Sequence, residues 1–161
     1  MAEALAVVAT ISSIVQLVDF TSKIVSRLHE FQSDANEAPK SLRHLQAELP
    51  LLEHSLKQIK TAIDSSALSN ACVIALQPTI SGVDELLQQI NSILAKTLPK
   101  QGDGRARRVA KSVGSVWNDG NIEKIRTTLR SYMGTLTFYF VVSSSTLQPL
   151  TGKVPGKLVS P

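Results

Sequence analysis

The sequence predicts an all-α protein: a helical bundle of about four to five helices, with a kinked second helix and a disordered C-terminal tail. Three observations lead there. Apolar residues recur at steps of three and four over long stretches, the period of one helix face. The first 98 residues hold a single glycine, Gly82, and three prolines, Pro39, Pro50 and Pro78, so few breakers interrupt those stretches. Aromatic residues make up only 4% of the chain, which argues against a large β-sandwich and against a base-stacking nucleic-acid platform. At 161 residues, 43% of them hydrophobic, the chain is long enough for one domain with its own core. It is too short for that core plus an ordinary catalytic domain.

The first helix is predicted over residues 2–31. Ser12, Gln16, Asp19, Lys23, Arg27 and Glu30 form a polar stripe, with Val7, Ile11, Ile14, Val18, Val25 and Leu28 opposite. Residues 33–39 then read as a polar exit loop. Pro39 suits the first turn of a second helix, whose stripe is Leu42, Leu45, Leu49, Leu52, Leu56, Ile59 and Ile63. The stripe keeps its phase across Pro50, so the proline should bend a continuous helix that ends near Asp64. After a Ser65–Ser66 turn, Ser69 caps a third helix carrying Val73, Leu76, Ile80, Val83, Leu86, Leu87, Ile90, Ile93, Leu94 and Leu98. Pro78 should bend or restart it, and Gly82 should weaken it by roughly 1 kcal/mol relative to alanine.

Residues 99–104 read as a loop and 105–116 as a short basic helix, with Val109, Val113 and Val116 on one side and Trp117 turned to the bundle. Asp119 or Asn121 can cap the last helix, whose face is Ile122, Ile125, Leu129, Tyr132, Met133, Leu136 and Tyr139. It should end near Val142, although residues 135–142 taken alone are rich in strand formers. The expected division is a helical-bundle domain over 1–142 and a tail without periodicity over 143–161.

The sequence offers no constellation for catalysis. Cys72 is the only cysteine, which excludes an intrachain disulfide and fits a reducing compartment. His29, His44 and His54 lack the spacing of helix-borne metal ligands, so no metal and no cofactor are expected. The run Gly152-Lys153-Val154-Pro155-Gly156-Lys157-Leu158 imitates a phosphate-binding loop. Its glycines are one residue too close, Leu158 stands where a hydroxyl is needed, and Pro155 removes a backbone donor. Neither an enzyme nor a small-molecule substrate is expected.

Charge is unevenly spread. Residues 100–130 carry eight basic and three acidic side chains, a balance of +5 that leaves −1 for the rest of a +4 chain. Arg105, Arg107, Arg108 and Lys111 form either the solvated face of a surface helix or a patch for an anionic membrane or an acidic partner. Without helix-turn-helix spacing or basic–aromatic interleaving, nucleic acid is not expected. At the other extreme, residues 4–18 hold no charge. A secretory signal needs a basic n-region, and fifteen residues fall short of the ~20 that span a bilayer. This segment is either a core helix or one that leaves the bundle for a membrane, with Leu5, Val8, Ile11, Ile14, Val15 and Val18 as the candidate inserting residues.

Several runs carry a family likeness: Met1-Ala2-Glu3-Ala4-Leu5-Ala6-Val7-Val8, Val15-Gln16-Leu17-Val18-Asp19-Phe20 and Ser26-Arg27-Leu28-His29-Glu30-Phe31. Pro39-Lys40-Ser41-Leu42, Glu48-Leu49-Pro50-Leu51-Leu52 and Leu94-Ala95-Lys96-Thr97-Leu98-Pro99-Lys100 continue it in order. Over residues 1–140 the chain resembles the SesA-type N-terminal domain of fungal NACHT and other STAND P-loop NTPases, related in broad type to HeLo and HeLo-like domains. The resemblance implies a non-enzymatic effector of NOD-like receptors acting in heterokaryon incompatibility and regulated cell death. It implies protein partners, through self-association or related receptor domains, and anionic lipids as a further partner. It implies a cytoplasmic protein that relocates to the plasma membrane, with residues 2–20 as the inserting helix. The alternative is an adaptor that binds another receptor's N-terminal domain and never touches lipid. Receptors of this kind continue into an NTPase. Here nineteen tail residues follow instead, so the expectation is a stand-alone or truncated family member, or an unusual splice form or gene model.

Overall fold

Among the described residues four long helices make up the architecture: α1 (Ala2–Asp34), α2 (Lys40–Asp64), α3 (Asn70–Thr97) and α4 (Gly120–Thr146). The structure is a computed structural model that describes residues 1–34, 40–97 and 120–146, with no strand among them. The loop expected at 99–104, the basic helix at 105–116, Trp117, the Asp119 cap and the exit loop beyond Asp34 lie outside the described residues.

α2 forms as its stripe requires. Leu42, Leu45, Leu49, Leu52, Leu56 and Ile59 are fully buried, Ala62 nearly so, and Ile63 half-buried at the edge. Pro50 lies inside this one continuous helix. Its C-terminus closes as a Schellman turn: Ala67 N–H donates to Ala62 O at 2.8 Å and Ser66 N–H to Ile63 O at 2.9 Å. Ser66 takes the left-handed conformation this turn needs, with φ 56°, a position that ordinarily favours glycine. Ser69 then caps α3, its hydroxyl accepting from the Cys72 N–H at 3.3 Å. Pro78 is likewise absorbed within α3.

α1 differs from its expected orientation. The buried stripe is Thr10, Ile14, Leu17, Thr21, Ile24 and Leu28, rotated from the one the apolar residues alone select; Val7, Val18 and Val25 only flank it. The reason is chemical. The Thr10 hydroxyl donates to Ala6 O at 2.9 Å and the Thr21 hydroxyl to Leu17 O at 2.6 Å, so both threonines enter the core with their polarity already satisfied. α4 also runs further than expected, to Thr146. Ser143 and Ser144 donate to Phe140 O, and Ser145 donates to Val141 O, extending the helix beyond Val142.

α1 packs on α2 and α3, and α4 packs on the same two helices, so α1 and α4 occupy diagonal corners. Short connections make α2 antiparallel to α1, and α3 antiparallel to α2. Two contacts fix the level of α1: Gln46 Nε2 donates to Leu28 O at 2.8 Å, and Arg27 Nη1 donates to Asn91 Oδ1 at 3.1 Å. On α4, Arg126 and Arg130 meet Glu48, and Tyr132 meets Gly82 further along, which sets α4 parallel to α2. The N-terminus of α1, the C-termini of α2 and α4 and the N-terminus of α3 therefore share one end, called the upper end below.

Gly82 has a packing role beyond its weak helix propensity. A Cβ there would collide with the Tyr132 hydroxyl and come within 2.5 Å of its Cζ and 3.0 Å of its Cε1. The absent side chain lets the Tyr132 ring lie against the α3 backbone. In the parent, Gly82→Ala should therefore destabilise the fold despite alanine's better propensity. In a Tyr132→Ala background the same change should stabilise by about 1 kcal/mol. Urea denaturation of the four proteins checks this, and equal effects in both backgrounds would contradict the close approach. Pro50→Ala should leave helicity and cooperative melting intact in circular dichroism. Global unfolding of that variant would mean the proline holds a turn between two separate helices.

Candidate functional site

Two features stand apart from the apolar core. The first is α1 itself. The uncharged run 4–18 alone falls short of a span. Over Ala2–Glu30, however, the helix is long and apolar enough to cross a membrane by length and composition, and only 22% of the most apolar window is buried. A core helix passing the same test would be mostly buried, while a signal sequence near the N-terminus passes it as well. The first nine residues contain no buried side chain.

The candidate inserting residues do not share one face. Leu5, Val8 and Val15 are exposed at 70%, 63% and 44%, Ile14 is fully buried, and Ile11 and Val18 are half-buried. The helix is thus apolar on its core side and again on its outer side near the upper end. Hydroxyls add little polarity, because Thr10, Ser13, Thr21 and Ser26 each donate to a carbonyl four residues back in the same helix. Among the described residues, no α1 side chain ahead of Arg27 hydrogen bonds to another helix. The polar ties of α1 are confined to its C-terminal half.

A second uncovered apolar face, not anticipated from sequence, lies on α4. Phe138, Val141 and Val142 are exposed at 64%, 53% and 43%. The signal for it was present: α4 has no charged residue after Arg130, and three of the chain's seven aromatics are consecutive at 138–140. The basic residues Arg105, Arg107, Arg108 and Lys111 lie outside the described residues.

The second feature is a buried ion cluster that sequence reading also missed. Glu48 projects beside the α2 leucine stripe and is 7% exposed. Its Oε1 accepts from Arg126 Nη2 at 3.2 Å and from Arg130 Nε and Nη2 at 2.9 and 2.6 Å. Arg126 Nη1 also reaches Glu123 Oε2 at 2.7 Å. Glu48 Oε2 and Arg126 Nε are buried without a hydrogen-bond partner. Incompletely satisfied buried ions contribute little net stability, but they resist misalignment, since slipping α4 by a turn would strand a charge in the core. In sequence, Arg126 and Arg130 at i and i+4 gave one half of this signal, and only the fold supplies Glu48.

Little else has the shape of a chemical site. An open groove of about 300 Å³ between α1 and α3 is walled by Ser13, Gln16, Ser81, Asp84 and Glu85. Among the described residues no group of three or more His, Cys, Asp or Glu side chains is placed to hold a metal ion. Cys72 is half-buried.

Exposed apolar side chains on two helices among the described residues are surfaces that another molecule can cover. The chain belongs to the SesA family, described as the N-terminal domain on NACHT NTPase and P-loop NTPases, whose sequence model matches residues 11–136. Neither a curated protein nor a solved structure matches the chain significantly. The position of this family's domain on NACHT NTPases points to an effector-type domain and to protein–protein interaction as the coarse kind of role.

The ion cluster generates a stability prediction. Glu48→Ala leaves Arg126, with only 10% of its side chain exposed, without its buried counter-charge. Glu123 still pairs with Arg126 Nη1 at 2.7 Å, so the loss should be about 1–3 kcal/mol. Arg130, 58% exposed at its side chain, should cost about 1 kcal/mol or less when changed to alanine. Chemical denaturation of both variants reads the difference, and equal small losses would mean the cluster is ornamental.

Proposed function

We propose that this chain is a non-enzymatic effector or signalling domain in fungal non-self recognition of the NOD-like-receptor type. It acts in regulated cell death, by oligomerising and by inserting the N-terminal portion of α1 into the plasma membrane. The carrying observation is α1: a helix apolar enough to span a bilayer, only partly covered by the bundle, and free of polar ties to other helices ahead of Arg27. The back-bonded hydroxyls support the same reading, because a helix that satisfies its own polar groups loses less on entering lipid.

In this reading Leu5, Val8 and Val15 are already presented, and Ile11, Ile14 and Val18 follow when the helix leaves the bundle. Arg105, Arg107, Arg108 and Lys111 attract an anionic leaflet, and the protein moves from cytoplasm to plasma membrane on activation. The effector unit extends over 1–146, with the remaining residues as its tail. The uncovered α4 face favours a second reading, an adaptor that docks on another receptor's N-terminal domain through Phe138, Val141 and Val142.

Ser12 and Gln16 are exposed on α1, so Ser12→Lys and Gln16→Glu should change stability by no more than about 0.5 kcal/mol. At the centre of a membrane helix each charge costs about 2.5–3.5 kcal/mol on insertion scales. The variants should fold normally and lose dye release from vesicles and cell killing; parent-like leakage would eliminate the inserting helix. Reversing Arg105, Arg107, Arg108 and Lys111 to glutamate should weaken binding to anionic vesicles at low salt. At about 1 kcal/mol per charge, the loss amounts to several powers of ten. Unchanged binding would make the cluster an ordinary solvated surface.

A further inference from the structure

The two uncovered apolar faces are related by the geometry of the bundle. α1 and α4 stand at diagonal corners, each packed on α2 and α3, so their core sides point toward one another across the bundle axis. Their outer sides therefore point in opposite directions. The register fixed by Arg27 with Asn91 and Gly82 with Tyr132 brings Leu5, Val8 and Val15 to the same level as Phe138, Val141 and Val142. Neither face carries a charge: α1 has none from 4 to 18 and α4 none from 131 to 146.

We infer that these faces are the two halves of one head-to-tail contact, in which the α4 face of one copy docks on the α1 face of the next. The inference rests on the oligomerising reading proposed above and names its surfaces. A second copy is the occupant that covers both faces at once. Because the faces lie on opposite sides at one level, bundles standing side by side bring an α4 face onto an α1 face without tilting. An isologous dimer through either face would leave the other bare.

The sizes agree with this arrangement. Each face exposes roughly a few hundred Å² of side chain, within the 300–600 Å² of a monomer's largest apolar patch and below the ~800 Å² per partner of a standard stable complex. Each joint is therefore weak and concentration-dependent, and a growing array adds one joint per copy. The chemistry is complementary as well. Phe138 is an aromatic anchor of the kind that carries interface energy, while α1 offers aliphatic Leu5, Val8 and Val15 around the small Ser12. Growth in this mode keeps every α1 N-terminus on one side of the array, and the joint belongs to the bundle before α1 leaves it, since Leu5, Val8 and Val15 cannot cover an α4 face and enter lipid together.

The test uses the 161-residue chain and two double variants, Leu5→Glu with Val8→Glu and Phe138→Glu with Val141→Glu. All four positions are exposed, and circular dichroism checks that helicity and melting match the parent. In sedimentation velocity the parent's mass should rise with concentration beyond a dimer. Each double variant alone should remain a monomer. Mixed one to one, the two variants should double in mass and stop there, because each retains the half that the other lacks.

A parent that stays monomeric at its highest soluble concentration would overturn the inference. So would either variant dimerising alone, or a mixture that stays monomeric. Binding of a permanently monomeric parent to neutral phosphatidylcholine vesicles, lost in both variants, would make lipid the occupant and equally overturn it. The functional reading fails separately. A chain that associates head to tail but releases no dye from vesicles keeps this inference and loses membrane insertion, whereas a chain that permeabilises vesicles as a monomer keeps the inserting helix and loses both this inference and the oligomerising step.

Discussion

Charges are costly to bury, and this bundle buries a cluster of them where α2 meets α4. Glu48 receives Arg126 and Arg130 on one oxygen, so α4 has a single register against α2 in which no buried charge is stranded. Tyr132 lying over Gly82 holds α4 to α3 in the same register. Three of the four helices are thereby joined through specific contacts. The position left to α1 is the remaining corner, and its own attachment is uneven. Arg27, Gln46 and Asn91 bind its C-terminal half through hydrogen bonds, while Ile14, Leu17 and the self-satisfied Thr10 hold its N-terminal half through packing alone.

That unevenness connects the fold to the proposed activity. A helix held by polar contacts at one end and by apolar packing at the other can open at the second end without breaking the first. Apolar packing is also the kind of contact that lipid or a neighbouring chain can replace. Back-bonding by Thr10, Ser13, Thr21 and Ser26 serves both situations, since the hydroxyls take their partner with them wherever the helix goes. The charge-free portions of α1 and α4, which stand level at the upper end, are the parts of those two helices least committed to water.

Much of this was legible in the sequence, and what was not has physical causes. The α2 stripe was read almost residue for residue, because a helix with one buried side writes that side into its 3.6-residue period. Pro50 was correctly read as lying inside a continuous helix, since the phase carried across it, whereas Pro78, expected to bend or restart α3, also lies inside one helix. The α1 stripe came out rotated because neither Thr10 nor Thr21 was placed on the buried face, and no periodicity rule knows that a hydroxyl has found its own backbone. Of the six candidate inserting residues, Leu5, Val8 and Val15 face outward, whereas Ile14 belongs to the core. Gly82 was understood only as a weak helix residue, for its partner Tyr132 lies fifty residues away. Glu48 escaped notice for the same reason: the meaning of a carboxylate beside a leucine stripe depends on which helix faces it.

The central claim is that the N-terminal half of α1 is a separately releasable part of an otherwise firmly registered bundle. Native-state amide hydrogen exchange, resolved along α1 and compared with the buried core of α2, tests it most directly. Residues 2–20 should open at a free energy well below that of global unfolding, with residues 24–30 of α1 and residues 42–59 of α2 exchanging only through the global transition. Uniform protection along α1, equal to that of α2, would show that the helix is released only when the whole bundle unfolds, and would contradict the account.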